Sequence, residues 1–218
     1  MNVFKTNKTA LSIYLPAGYP ELNSAIQIVP ELEKSGVDFI ELGMPFSDPL
    51  ADGPTVQFCS EKAIQNGMNL ETYFSQAKEL NSVTSMPIIF MGYYNQLLKY
   101  GIEKFAKKAQ ESGINKLIVP DMPIQEYLQY QKTFDAYEID MIFLITPNTS
   151  DERIRKIDSV SKGFIYCVAD NSITGAKNDI SNKQIEYFQR VRNLNLKNPL
   201  VAGFGISSHE QIQKISEY

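Results

Sequence analysis

Hydrophobic and polar positions along the chain follow two alternating periods. Short runs rich in β-branched and aromatic residues predict strands at residues 11–15, 39–42, 88–91, 117–119, 141–145, 164–168 and 200–202. Segments with a helical period lie between them, at residues 24–34, 70–80, 102–112, 124–134, 151–160 and 184–194. This alternation favours repeated βα units and a parallel sheet.

Several helix ends carry chemical markers. Gly36 and Gly113 each stand between a helical segment and a strand, where a residue with positive φ is expected. Residues 149–152 (TSDE) and 207–210 (SSHE) fit the capping box, in which a hydroxyl and a carboxylate satisfy free backbone N–H groups. The second box predicts a further helix near the end of the chain.

Seven predicted strands indicate an α/β protein of the (β/α)8 TIM-barrel type, with a doubly wound open sheet as the alternative. A chain of 218 residues, 43% of them hydrophobic, is large enough for one sizeable core, so we expect a single domain over residues 1–218. Because the pattern stops in the seventh unit, we expect the eighth strand and helix to be absent. A shortened chain explains this better than an evolved seven-stranded variant.

The amino-acid composition argues against several classes of function. A net charge of −4 with scattered lysines argues against nucleic acid or anionic lipid as a partner. No apolar run approaches the roughly 20 residues that span a bilayer, and we expect a cytoplasmic protein. Cys59 and Cys167 are expected to be reduced thiols, with a disulfide as the less favoured alternative. Since His209 is the only histidine, we expect no metal site.

The segment 41–55 (ELGMPFSDPLADGPT) carries the chemistry that the pattern favours most. Glu41 ends an apolar strand, and Asp52 follows on a loop built from Pro, Gly, Asp and Ser. We expect Glu41 at the open mouth of the barrel, where the apolar strand favours its neutral form, and Asp52 ionised on a polar loop. The alternatives are a rim glutamate paired with a basic side chain, and a turn-capping role for one of Asp48 and Asp52.

Strand alternation also indicates which side chains surround Glu41. Ser12 and Tyr14 share a face of the first strand, and Ile89, Met91 and Tyr93 share a face of the third. These side chains are expected to line an apolar pocket. The alternative for each aromatic residue is ordinary core packing.

Segment 41–55 closely resembles the signature of the tryptophan synthase alpha chain family. Five further segments match that family in the same order, and they are 15–20 (LPAGYP), 91–95 (MGYYN), 119–123 (VPDMP), 173–175 (ITG) and 202–207 (AGFGIS). The resemblance implies a lyase of L-tryptophan biosynthesis that cleaves indole-3-glycerol phosphate to indole and glyceraldehyde 3-phosphate by a retro-aldol reaction. No predicted strand ends in the lysine that a Schiff-base aldolase needs, since Lys116 lies at a strand start.

The resemblance also assigns roles to single residues. Glu41 would protonate indole C3 and then take the hydroxyl proton, while Asp52 would hold or remove the indole N–H proton. The residues implied to line the indole and glycerol pocket are Tyr14, Met91, Tyr93, Ile118 and Tyr166. Those implied to bind phosphate are Thr174, Gly175, Gly203, Phe204 and Gly205. A glycine-rich turn before a capped helix suits a dianion, although such a turn is also a common tight connection.

The family resemblance implies a protein partner. This is a pyridoxal-phosphate-dependent beta chain in an alpha2beta2 heterotetramer, in which the cofactor belongs to the beta chain and the alpha chain carries none. Residues 45–54 are implied to lie near the interface. Two alternatives remain open, namely a catalytically weak subunit that only activates the beta chain and a stand-alone lyase that releases indole.

Overall fold

The computed structural model describes residues 4, 9–50, 52–169, 181–203, 206 and 208–216. All seven predicted strands are present, with ends that differ from the predictions by at most one residue. They are β1 (Ser12–Pro16), β2 (Phe39–Gly43), β3 (Ile88–Met91), β4 (Lys116–Ile118), β5 (Asp140–Ile145), β6 (Ile165–Val168) and β7 (Leu200–Gly203).

Helices follow the strands throughout the described part of the chain. Seven of them match predicted segments, and they are α1 (Ser24–Lys34), α3 (Leu70–Val83), α5 (Ile102–Glu111), α6 (Ile124–Ala136), α7 (Asp151–Val160), α8 (Asn182–Asn193) and α9 (His209–Ile215). Two further helices, α2 (Pro54–Gln65) and α4 (Tyr94–Tyr100), were not predicted. Within the described ranges, no helix combines the length and apolar character that crossing a bilayer requires.

The chain divides into two compact units, Met1–Asp140 and Met141–Tyr218. In the first unit, β1 to β4 pair in parallel in chain order. In the second unit, β5 to β7 also pair in parallel in chain order. This is the pairing that repeated βα units produce. A single domain over residues 1–218 stays a prediction.

Aromatic packing holds helix α3 against the strands of the first unit. Tyr73 is fully buried, and its hydroxyl donates to the backbone oxygen of Leu42 over 2.9 Å. Its ring also meets that of Phe90 edge to face, with centroids 5.3 Å apart. Such pairs add stability beyond area burial. The contact therefore fixes β2 at Leu42, the residue that follows the buried carboxylate Glu41.

The predicted helix-end markers are present, but two of the capping residues lie one position later than predicted. Gly36 and Gly113 have positive φ angles of 91° and 81°, as expected. Helix α7 is capped by Ser150, whose hydroxyl accepts from the backbone N–H of Arg153, so the predicted box at 149–152 was one residue early. Helix α9 has its capping box one residue later than predicted, at residues 208–211, because a Gln at the third helical position reaches back to the capping Ser.

Candidate active site

Glu41 lies in the middle of the first unit's sheet. It is in register with Tyr14 of β1 and Ile89 of β3, and only 3% of its surface is exposed. The hydroxyl of Ser12, one side-chain layer nearer the amino end of β1, donates to Glu41 Oε1 over 2.5 Å. A buried carboxylate needs such a donor, because transfer from water without hydrogen bonds is costly.

Asp52 lies on the loop that follows β2 and is held there by three hydrogen bonds. The hydroxyl of Tyr93 donates to Asp52 Oδ2 over 2.9 Å. The backbone N–H of Asp52 donates to the oxygen of Pro49, and the Gln57 side chain donates to the backbone oxygen of Asp52. Asp48, by contrast, is exposed and accepts a hydrogen bond from its neighbour Ser47. The two loop carboxylates therefore lie in different surroundings, and a turn-capping role for one of them stays a prediction.

Partial burial and one hydrogen bond act in opposite directions on the pKa of Asp52. Burial raises the pKa of the Asp52 carboxyl, and the hydrogen bond from Tyr93 lowers it in partial compensation. Burial has this effect because it disfavours the charged form of a carboxyl group. This part of the loop is partly covered, and the ionised state of Asp52 stays a prediction.

A glutamine connects the loops that follow β2 and β3. Its side chain, at Gln96 in α4, donates to the backbone oxygen of Pro45 over 2.8 Å and accepts from the backbone N–H of Tyr93 over 3.0 Å. Phe46 stacks on the Tyr93 ring, with centroids 5.0 Å apart. These contacts fix Tyr93 on the side of the loop where its hydroxyl reaches Asp52. The orientation of Asp52 thus depends on two loops and not on its own loop alone.

Tyr14 is in register with Glu41 and interacts electrostatically with both carboxylates. Its ring lies over Gly43, where an added Cβ would stand 2.7 Å from the ring carbons Cε2 and Cζ, so only glycine leaves room for it. Burial is the largest of the causes that raise the pKa of the Tyr14 hydroxyl well above its usual value, and nearby Asp52 and Glu41 raise it further. Tyr14 therefore stays neutral and lies within electrostatic reach of both carboxylates.

The second unit repeats this arrangement of a tyrosine over a glycine. Tyr166 of β6 lies over Gly203 of β7, where an added Cβ would stand 2.7 Å from ring carbon Cε1. In both units the glycine stands two residues beyond the register partner of the tyrosine, which is Val201 here. Gly203 thus has a packing role that the sequence did not reveal, and its part in phosphate binding stays a prediction.

The remaining predicted site residues fall into two groups. Met91 and Ile118 are paired across β3 and β4, and both are buried, with Ile118 fully enclosed. The predicted phosphate residues Thr174, Gly175, Phe204 and Gly205 lie outside the described residues. Sequence reasoning missed the contacts of Ser12 and Gln96, although strand alternation had already placed Ser12 on the face that carries Tyr14.

This combination of features defines a class of enzyme. In the first unit, a buried carboxylate lies within strand β2 and a partly buried one lies on the loop that follows this strand. Both carboxylates lie close to a neutral tyrosine. That is the position and chemistry of acid–base catalysis in barrel enzymes.

Comparison with known proteins identifies the family within this class. The family model described as tryptophan synthase alpha chain matches residues 1–218. The tryptophan synthase alpha chain of Flavobacterium psychrophilum is 51% identical over 213 residues, which cover 97% of this chain and 84% of the relative. That of Bacteroides thetaiotaomicron is 42% identical over 218 residues, covering 99% and 85%. The chain belongs to the tryptophan synthase alpha chain family.

Solved structures agree with this assignment. The tryptophan synthase alpha-subunit of Pyrococcus furiosus matches with a TM-score of 0.87 and 33% identity, covering 95% of this chain and 83% of that one. Mycobacterium tuberculosis tryptophan synthase matches with a TM-score of 0.89 and 31% identity, covering 100% and 82%. The predictions of a TIM-barrel type of fold and of a lyase in tryptophan biosynthesis are confirmed.

Proposed function

We propose that Glu41 and Asp52 are the acid–base pair that cleaves indole-3-glycerol phosphate to indole and glyceraldehyde 3-phosphate in this chain. The observation that carries the assignment is the fixed position of both carboxylates around Tyr14, with Asp52 oriented by Tyr93. A positioned acid or base contributes roughly two to four orders of magnitude in rate. Two such groups with different environments suit a reaction that moves two protons.

The proposed reaction proceeds in balanced proton steps. Neutral Glu41 gives its proton to indole C3, and the ring becomes an electron sink with its positive charge at nitrogen. Asp52 accepts a hydrogen bond from the indole N–H and so stabilises that charge, or it takes the N–H proton and returns it to nitrogen as the electrons re-enter the ring. The bond from C3 to the glycerol carbon then breaks, its electrons return to the ring, and the Glu41 carboxylate takes the hydroxyl proton. Aldehyde and indole leave, and Glu41 is neutral again.

The lysine at the start of β4 has a structural role in this scheme. Lys116 Nζ is 2.6 Å from Asp140 Oδ2, and only 10% of the lysine side chain is exposed. The Asp140 side chain is 32% exposed, so the pair is partly buried. Lys116 is thus engaged in an ion pair at the amino end of β4, away from the strand end that a Schiff-base lysine would occupy.

We further propose that the chain works in the cytoplasm with a pyridoxal-phosphate-dependent beta chain in an alpha2beta2 heterotetramer, and that the cofactor belongs to the beta chain. One neighbour among the solved structures is a tryptophan synthase complex from Pyrococcus furiosus. Leu50 is 87% exposed and Phe58 is 62% exposed, beside the loop that carries Asp52. Large apolar side chains left in water next to a site suit a protein interface.

An assay of indole formation tests this function directly. Indole released from indole-3-glycerol phosphate is measured for the isolated chain and for the chain with a beta chain, and we expect release that the partner increases. Leu50→Ser should reduce the increase and leave the basal rate unchanged, whereas Val83→Ser, a control for an exposed apolar residue on α3, should change neither. Release that no partner raises indicates a stand-alone lyase. Stimulation of the beta chain without indole release indicates a regulatory subunit.

Tyr93→Phe should shift the pH dependence of the reaction. The Tyr93 hydroxyl lowers the pKa of Asp52, so its removal raises that pKa. Because Asp52 acts as a carboxylate, the acid limb of kcat/KM should move to higher pH, with a loss of about tenfold at a fixed pH on that limb. Tyr100→Phe removes a similar hydroxyl bond to Glu71 on the surface and should leave the profile unchanged. An unshifted limb in Tyr93→Phe would remove Tyr93 from the site.

A further inference from the structure

The hydrogen bond between Ser12 and Glu41 connects two neighbouring strands. In the register of β1 and β2, Glu41 stands beside Tyr14, and Ser12 stands beside Phe39. Ser12 is thus one same-face position closer to the amino end of the sheet than Glu41. Its hydroxyl reaches toward the carboxyl end and donates to Glu41 Oε1 over 2.5 Å. The hydrogen bond therefore holds the Glu41 side chain from the side that faces the amino ends of the strands.

We propose that Ser12 is a positioning residue for the proton transfers of Glu41, an inference that rests on the proposed role of Glu41. The Ser12 O–H group occupies Oε1, so the proton that neutral Glu41 delivers is carried by Oε2. It also fixes the rotation of the carboxyl plane, which decides where that proton points. Bound geometry of this kind strongly affects the rate, because small misplacements of a reacting group slow proton transfer.

The backbone around Ser12 makes this contact rigid. Asp38 Oδ2 accepts a hydrogen bond from the backbone N–H of Leu11 over 2.8 Å, and the backbone N–H of Asp38 donates to the oxygen of Leu11 over 2.8 Å. This pair joins the residues that precede β1 and β2. Ser12 follows it directly, so the position of the Ser12 hydroxyl is set by strand pairing and not by a flexible loop. Rigid support is what a catalytic side chain requires from its neighbours.

The hydrogen bond from Ser12 also suits both protonation states that Glu41 adopts in the proposed reaction. A hydroxyl donor forms a stronger hydrogen bond with a charged acceptor than with a neutral one. Such a donor stabilises the carboxylate that remains after Glu41 has given up its proton, in a place where only 3% of the residue is exposed. When Glu41 is neutral, the same hydroxyl still donates to the carbonyl-type oxygen Oε1. Ser12 thus keeps one orientation through both proton transfers.

The test compares three variants at Ser12 with a matched control. Ser12→Ala removes the hydroxyl, Ser12→Thr keeps it, and Ser12→Cys keeps the size with a weaker donor. Ser112→Ala removes the hydroxyl of another serine, which is buried and donates to the backbone oxygen of Ala109 over 2.8 Å. Each variant of the 218-residue chain is assayed for kcat and KM with indole-3-glycerol phosphate in the presence of a beta chain. Thermal melting of each variant is recorded alongside.

Ser12→Ala is expected to lower kcat roughly 10- to 100-fold, the range that corresponds to a lost hydrogen bond to a charged group. KM should change less than about twofold, because an interaction made through a catalytic group acts in the transition state. Ser12→Thr should return kcat to within about threefold of the parent, with Ser12→Cys between Thr and Ala. Ser112→Ala should leave kcat unchanged, even if its melting temperature falls.

Three outcomes would overturn the inference. The first is an unchanged kcat in Ser12→Ala while Glu41→Gln is inactive, and the second is a kcat in Ser12→Thr as low as in Ser12→Ala. If Ser12→Ala does not fold, Ser12→Cys takes its place, and a parental kcat in that variant is the third. Near-normal turnover in Glu41→Gln is a different result, because it contradicts the proposed function itself.

Discussion

Glu41→Gln is expected to lower the rate of indole formation by roughly two to four orders of magnitude, the usual contribution of a positioned acid or base. Glutamine cannot give a proton to indole C3 or take the hydroxyl proton. It has nearly the same volume, and its amide oxygen can still accept from Ser12. KM for indole-3-glycerol phosphate should therefore change little. The measurement is kcat by indole release, together with the melting temperature.

The control for Glu41→Gln is the same chemical change at the protein surface. Glu31 forms an ion pair with Lys34 over 2.7 Å, with 69% of the glutamate side chain exposed. Exposed pairs of this kind contribute little. Glu31→Gln should therefore keep parental kcat and stability. The expected loss in Glu41→Gln is roughly two to four orders of magnitude in kcat. A kcat within about threefold of the parent would instead exclude Glu41 from the chemistry.

Asp52→Asn should also lose roughly two to four orders of magnitude in kcat. The amide cannot take the indole N–H proton, and it carries no charge to stabilise the protonated ring. Its oxygen can still accept from the Tyr93 hydroxyl, so the loop should keep its place. The loss is measured as kcat for indole release, with melting temperature as the check on folding.

Asp48→Asn is the matched control for Asp52→Asn. Asp48 lies on the same loop but is exposed, and among the described residues its carboxylate shows a hydrogen bond only from Ser47. Its amide variant should keep kcat close to the parent. Equal losses in the two variants would show that the loop, and not the Asp52 carboxylate, is what the reaction needs.

The strand that carries Glu41 could be predicted in detail from the sequence. A period of two fixes which side chains share a face, so Ser12 and Tyr14 were correctly grouped on β1. A buried carboxylate near the carboxyl end of a strand then pointed to the mouth of a barrel, because a buried charge needs special surroundings. The structure places Glu41 in register with Tyr14, in agreement with this reasoning.

The support of Asp52 could not be predicted in the same way. It depends on a hydroxyl from the loop after β3 and on Gln96, which joins that loop to Pro45. These contacts join residues more than 40 positions apart. Local patterns carry no information about such contacts. The hydrogen bonds of Tyr93 and Gln96 also explain why Asp52 is partly buried although it lies on a loop.

Two helices were missed for different reasons. Helix α2 begins with Pro54, and proline at the first helical position is a known start signal. The apolar residues of α2 lie too close together in the sequence to show a helical period. Helix α4 has only seven residues, from Tyr94 to Tyr100, too few for a period to be recognised. Its backbone N–H at Tyr94 is satisfied by Asp121, a partner far along the chain. Tertiary contacts, rather than sequence preference, define this helix.

The central claim is that Glu41 and Asp52 act together in one chemical event. A four-member cycle tests it most directly, namely single-turnover indole release by the parent, Glu41→Gln, Asp52→Asn and the double variant. Residues that act as a unit are not additive, so the double variant should be no more than about tenfold slower than the slower single variant. Losses that multiply across the two sites, or a single variant that retains the parental rate, would contradict the claim.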